Sequence, residues 1–174
     1  ERAVKCLRDD RSAICLLFVV PHTEFLRFSK QSANHGSEAV DGGEGVAQYA
    51  LAQRLYYQML VQGGRLGGVR LLSPRTIHYV TRDFTGERLD LQSGRPMHRG
   101  LGPYVRSFSE SARGTGSIGH PRTFGHGGAG SSFCWGDPDS GVSMAYLTNG
   151  RHPEDWHDTR TEVVSNLVHS SIID

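Results

Sequence analysis

From Val46 the apolar positions fall into helical order. Leu51, Leu55 and Met59 recur at i, i+4 and i+8, with Tyr56 and Leu60 alongside, which predicts an amphipathic helix stopped by Gly63-Gly64. Leu66, Val69, Leu71 and Leu72 flank Gly67-Gly68 and predict a short hairpin or turn. Ser73-Pro74 is a helix start, a hydroxyl cap followed by Pro at the first helical position, and Ile77, Val80 and Phe84 supply that helix's inward face. Residues 85–122 are loop-like, with one candidate strand at Leu101–Phe108. Beyond them, Ser131–Gly136 and Val142–Thr148 read as two strands. The five residues between them, Asp137-Pro138-Asp139-Ser140-Gly141, hold the Pro, Asp and Gly that a turn needs, so the pair is an antiparallel hairpin. A last helix is expected over about Asp158–Ile172, with Val163, Val164, Leu167, Val168 and Ile172 as its apolar stripe. Mixed helices with a late antiparallel hairpin indicate an α+β fold.

The first 45 residues pattern less clearly. Charged Lys5–Arg11 precede the longest apolar run, Ala13–Val20, and Ser29–Gly45 turns polar and Gly-rich, as a linker does. No fold is assigned to this arm, and residues 46–174 are taken as the organised portion. The apolar run is far shorter than the roughly 20 residues of a membrane span, so none is expected. It also lacks the cleavage site of a signal peptide. The chain opens on Glu1 rather than Met, as a fragment or processed product would.

Composition changes this picture little. Lys and Arg number 19 against 18 Asp and Glu, which argues against a nucleic-acid groove. Glycine stands out at 22 residues, pointing to turns or closely approached backbone. Cys6, Cys15 and Cys134 form neither a disulfide framework nor a metal pattern, and read as buried or free thiols.

Several motifs carry less chemistry than their letters suggest. Gly114-Thr115-Gly116-Ser117-Ile118-Gly119 satisfies G-x-G-x-x-G, but polar residues precede it and His120-Pro121 follows. A dinucleotide site needs a strand before and a helix after, so this is read as a flexible loop. His152 and His157 are five apart with Pro153 between them, whereas a zincin needs two His four apart on one helical face. They are read as solvated loop residues, and no metal or cofactor is expected. Ser32-Ala33-Asn34 is a loose Ser-x-Asn match, and no G-x-S-x-G elbow occurs.

The stretch Phe124-Gly125-His126-Gly127-Gly128-Ala129-Gly130 differs in kind. Its glycines can let a ligand lie against bare backbone, and histidine, as at position 126, is a residue type that can donate or accept a proton. Alone it is also what a Gly-rich strand entry looks like. Its neighbours add to it. His126-Gly127-Gly128, the turn at Asp137–Gly141, Ala145-Tyr146-Leu147-Thr148-Asn149 and the final helix follow in order, after Gln58–Leu66, Gly68–Pro74 and Leu101-Gly102. Over about Glu44–Ile172 the chain resembles the serine β-lactamase and penicillin-binding-protein superfamily, specifically its class C-like esterases.

The resemblance implies part of a transpeptidase-like fold, an antiparallel sheet flanked by helices with its N-terminal part missing. It also implies acyl transfer on a small ester or amide. His126 would take the place of the family's third-motif Lys or His. Gly127 and Gly128 would be its small followers, and Ala129 the oxyanion N–H donor. The sequence departs from the family in two places. Lys occurs only as Lys5 and Lys30, with Arg2 and Arg27 three residues before them, so Ser-x-x-Lys is absent. No Tyr is followed two residues later by Asn. The chain alone is therefore expected to be inactive, and a non-catalytic module that keeps the scaffold is the rival reading. A sheet without its N-terminal strands is also expected to leave an edge unpaired.

Overall fold

The computed structural model describes residues 4–9, 12–19, 42–91, 93–108, 114–130, 132–148, 150–151 and 153–172. Ser32-Ala33-Asn34, Ser131, Asn149 and His152 lie outside them. In chain order the elements are β1 (Val4–Asp9), β2 (Ser12–Val19), α1 (Gly42–Val61), β3 (Arg65–Leu66), β4 (Val69–Arg70), α2 (Pro74–Thr81), β5 (Tyr104–Val105), β6 (Phe124–Gly127), β7 (Ser132–Asp137), β8 (Val142–Thr148) and α3 (Glu154–His169). The α+β reading holds.

One antiparallel sheet organises them, in the order β1-β2-β8-β7-β6-β5. The period-2 alternation of β7 and β8 sorts their side chains between two cores. Cys134, Ala145 and Leu147 pack with Phe124, with Ala50, Tyr57, Met59 and Leu60 of α1, and with Ile77 of α2. Phe133, Trp135, Met144 and Tyr146 pack on the opposite face with Val168 of α3.

Local chemistry explains the joints. Gly63 at φ +66° ends α1 in a Schellman motif, with Gly64 N–H donating to Met59 O and Gly63 N–H to Leu60 O. Gly67 and Gly68 both have positive φ, as a two-residue β3–β4 hairpin turn requires. The Ser73 hydroxyl accepts the Thr76 N–H (3.0 Å) and caps α2. Between β7 and β8, Asp137 Oδ1 accepts the Asp139 N–H (2.9 Å), and Gly141 takes φ +74°.

Several expectations are corrected. The sheet edge at β8 is covered: Ile14–Val19 of β2 pair with Ser143–Thr148, and β1 pairs with β2. The apolar run of the N-terminal arm is thus a strand, and its partner lies too far along the chain for local patterning to identify. The strand expected over Leu101–Phe108 shrinks to β5, flanked by positive φ at Gly102 and Ser107. Helix α3 starts at Glu154 instead of Asp158, and Val163 and Leu167 of its supposed inner stripe are exposed. Its buried line is His157, Thr161, Ser165 and Val168. Three of those are polar, which a hydrophobic count passes over. Among the described residues no helix is long and apolar enough to cross a membrane.

Candidate functional site

His126 sits near the end of β6, between the short strand β5 and the central strand β7. Phe124, two residues earlier, is buried in the α1-side core and fixes the strand, while His126 itself is exposed. Its ring stacks on Tyr104 of β5, with centroids 4.9 Å apart and planes 10° apart. The Arg99 guanidinium lies 4.6 Å from the Tyr104 ring and is held by Asp90 Oδ2 at 2.8 Å. His126 Nδ1 lies 2.7 Å from the Gly127 carbonyl. A carbonyl only accepts, so Nδ1 is the donor, and in the neutral ring Nε2 keeps the lone pair. A base there can take a proton from an incoming group.

The glycines that follow let the chain turn tightly into β7. A Cβ at Gly127 would meet Phe133 Cδ2 at 2.9 Å. Gly128 N–H donates to Ser132 O (2.9 Å), and Gly130, at φ +76°, donates to Gly128 O (2.7 Å). Ala129 between them is exposed, and among the hydrogen bonds of the described residues its amide has no acceptor. The turn thus brings together His126 and the backbone of Gly127, Gly128 and Ala129. It leaves one N–H, that of Ala129, without an acceptor among the described residues, of the kind that can hold a carbonyl oxygen as charge develops on it.

The other chemistry-bearing groups have structural employment. Cys134, opposite His126 in the register, is buried and free, and donates its thiol hydrogen to Gln53 Oε1 (2.7 Å). Burial pushes that thiol up to about 12, so it stays protonated and unreactive. His120, Asp137 and Asp139 cluster at the β7–β8 turn with ligand atoms within 4.8 Å of one another. Asp137 is wholly buried, and burial alone would raise its pKa. Hydrogen bonds from His120 (2.7 Å), the Ser140 hydroxyl (2.7 Å) and the Asp139 amide outweigh this and hold it below the usual carboxylate range. Arg122 pairs with Asp139. These contacts account for the cluster as a braced turn.

Two readings of candidate motifs change. The Gly114–Gly119 segment is bound down rather than flexible. Ser165 donates to Gly114 O (2.6 Å), Arg106 to Gly116 O (2.9 Å) and Ser117 O (2.6 Å), while His169 bonds Thr115 O (2.8 Å). The Ser117 and Ile118 amides, which a phosphate would need, go to Glu162 and Asn166. His157 is on α3 and 4% exposed, so it is no solvated loop residue. Its Nε2 lies 3.2 Å from Ser132 O, and Arg160 beside it donates to Gly130 O (3.0 Å). Sequence reasoning missed both contacts to the candidate turn. The only signal was their i, i+3 spacing, which makes them neighbours on one helix.

The sequence profile of the β-lactamase family matches residues 30–167. Among solved structures, a penicillin-binding-protein homologue from Caulobacter crescentus is similar at 27% identity and a TM-score of 0.55, over 69% of this chain and 31% of its own. A β-lactamase from Mycobacterium bovis is similar at 27% identity and 0.53, over 67% and 42%. A family VIII carboxylesterase is similar at 26% identity and 0.50, over 65% and 30%. The chain thus spans between 30% and 42% of the length of these three proteins. A search of curated proteins finds no match.

Proposed function

The chain belongs to the β-lactamase family, and from that premise we propose that it supplies the substrate-lining strand and an oxyanion donor of a serine acyl-transfer site. The substrate is a small ester or amide, and nucleic acid plays no part. The attacking serine and its proton-transfer partners come from outside these 174 residues, which contain no Ser-x-x-Lys and no Tyr-x-Asn. The observation that carries the proposal is the turn after β6, where exposed His126 is followed by exposed Ala129, whose amide has no acceptor among the described residues.

In this reading the substrate carbonyl lies along the end of β6 that runs past its pairing with β5, and its oxygen accepts the Ala129 N–H. Serine attack turns the carbonyl oxygen into an oxyanion, which strengthens that bond as the barrier is crossed. His126 faces the substrate with the Nε2 lone pair and exchanges a proton there. Gly127 and Gly128 keep side chains out of the path.

Two measurements test this. The chain alone, treated with a fluorescent penicillin or a fluorophosphonate, takes up no label, and stoichiometric labelling of a serine would contradict the proposal. In the full-length hydrolase containing this segment, His126→Ala lowers kcat/KM on the order of 10²-fold, about 2.7 kcal/mol, with the fold intact. Unchanged turnover would reduce the segment to a Gly-rich strand entry. The absent Ser-x-x-Lys favours a second reading, a non-catalytic module that keeps the scaffold. A complete reading frame without an upstream Ser-x-x-Lys would decide for it.

A further inference from the structure

Two side chains of α3 grip the backbone at Gly130 and Ser132. Arg160 Nη2 donates to Gly130 O (3.0 Å), and His157 Nε2 lies 3.2 Å from Ser132 O. The same Ser132 carbonyl accepts the Gly128 N–H (2.9 Å). Arg160 Nε and Nη2 lie 3.2 and 3.0 Å from His157 Nδ1. A guanidinium only donates, so Nδ1 accepts, and the hydrogen of the neutral ring sits on Nε2, where it donates to Ser132 O. Each group thus fixes the next: Arg160 sets the tautomer of His157, and both hold main-chain carbonyls of the turn. His157 is 4% exposed. The Arg160 guanidinium lies 5.3 Å from the Tyr146 ring centroid and 4.9 Å from that of Trp156. Neither side chain is loose.

We propose that Arg160 and His157 are positioning residues for the oxyanion amide. They hold the backbone at Gly130 and Ser132 in the arrangement that leaves the Ala129 N–H without an acceptor among the described residues. The proposal rests on the role given to Ala129 above. A donor stabilises developing charge only if it is already aimed when the charge forms, since a mobile amide must be reoriented during the reaction. Both contacts are made to backbone carbonyls just after Ala129, and the carbonyl before it, Gly128 O, accepts the Gly130 N–H, so the clamp acts on the backbone that carries the Ala129 N–H. Gly128 and Gly130 spend their own amides inside the turn, and Ala129 is left to face the substrate.

Amide exchange on the ¹⁵N-labelled chain tests this. Arg160→Ala and His157→Ala speed exchange at Gly128 and Gly130 about tenfold or more, while Trp135 and Met144 in the core strands hold their rates. Arg160→Lys and His157→Gln, which keep a donor at each position, recover most of the protection. Unchanged exchange in the alanine variants, acceleration spread evenly over β7 and β8, or a glutamine as harmful as alanine would each overturn the clamp. If the alanine variants do not fold, His157→Asn against His157→Gln decides: the clamp requires faster exchange in Asn, whose nitrogen does not reach Ser132 O, and equal rates would overturn it. A second titration uses methylphosphonate, a tetrahedral oxyanion. It shifts the Ala129 amide resonance in the wild-type chain and not in His157→Ala. No shift in the wild type would overturn the oxyanion role of Ala129 and leave the clamp to the exchange result.

Discussion

Two Gly-rich segments lie against the same helix, α3, and end in opposite states. In Gly114–Gly119 the amides of Ser117 and Ile118 are taken by Glu162 and Asn166, and the carbonyls by Ser165, His169 and Arg106. In Gly127–Gly130 the carbonyls of Gly127, Gly128 and Gly130 are held, but the Ala129 amide has no acceptor among the described residues, three positions after an exposed histidine. The first segment has the more familiar motif, but the Ser117 and Ile118 amides that a phosphate would need are already engaged. Glycine allows backbone to approach something closely. Whether that something is a substrate depends on which backbone groups the fold has already engaged.

The contrast can be broken from the tied side. Trp135 is wholly buried, donates its indole N–H to Ser165 Oγ (2.9 Å) and stacks on His169 with centroids 4.3 Å apart. Trp135→Ala is expected to cost about 3–5 kcal/mol in chemical denaturation, releasing the Gly114 end of its loop. A loss below about 1 kcal/mol would mean the segment is not anchored through this ring. Gly116→Ala comes next. At φ +86° a Cβ would meet His169 Cδ2 at 2.8 Å and Asn166 Oδ1 at 2.9 Å, so a loss of about 1–3 kcal/mol is expected in a thermal melt. A variant as stable as the parent would show that the loop stands off the helix.

Acid sharpens the comparison further. Burial lowers the pKa of His169 below its usual 6.5, although the bond to Thr115 O opposes this. The unfolded chain therefore binds the extra proton first. The stability His169 contributes is complete above about pH 6.5 and is lost as pH falls through its folded value. Amide exchange at Gly116–Gly119 should rise on going from pH 7 into that window, after correction for intrinsic rates, while Gly128 changes less. His169→Gln, which keeps a donor without the titration, should flatten the response. An equally steep response in His169→Gln would place the sensitivity elsewhere. Asp137, held below its usual 3.8, responds only at lower pH and does not confuse the result.

The smallest expected effect is on the open side. His126→Ala loses a ring stack on a partly exposed surface, worth no more than about 1 kcal/mol of stability. A drop of several kcal/mol in a denaturant titration would make His126 a structural residue instead of a substrate-facing one.

What was legible in the sequence was local. Gly63-Gly64, Gly67-Gly68, Ser73-Pro74 and the Asp137–Gly141 turn each act within a few residues, and all appear where their chemistry puts them. His126-Gly127-Gly128 was legible through its order among neighbouring motifs, and the family match follows the same stretch. The place of β2 beside β8 was not legible, because the register joining Ile14 to Thr148 is set by a partner far along the chain. The inner line of α3 was hidden for another reason. His157, Thr161 and Ser165 are buried because each finds a hydrogen-bond partner, and a search for apolar stripes selects Val163 and Leu167 instead. Pro153 made His157 look like a loop residue, while it begins the helix that holds the candidate turn.

The most direct measurement compares three backbone amides in one exchange experiment on the unmodified chain. The Ala129 N–H should exchange close to the rate of an unstructured peptide, with Ser117 and Ile118 at least about tenfold slower relative to their own intrinsic rates. Protection at Ala129 equal to that at Ser117 would mean its amide is already engaged, and the site would have no donor to offer a substrate.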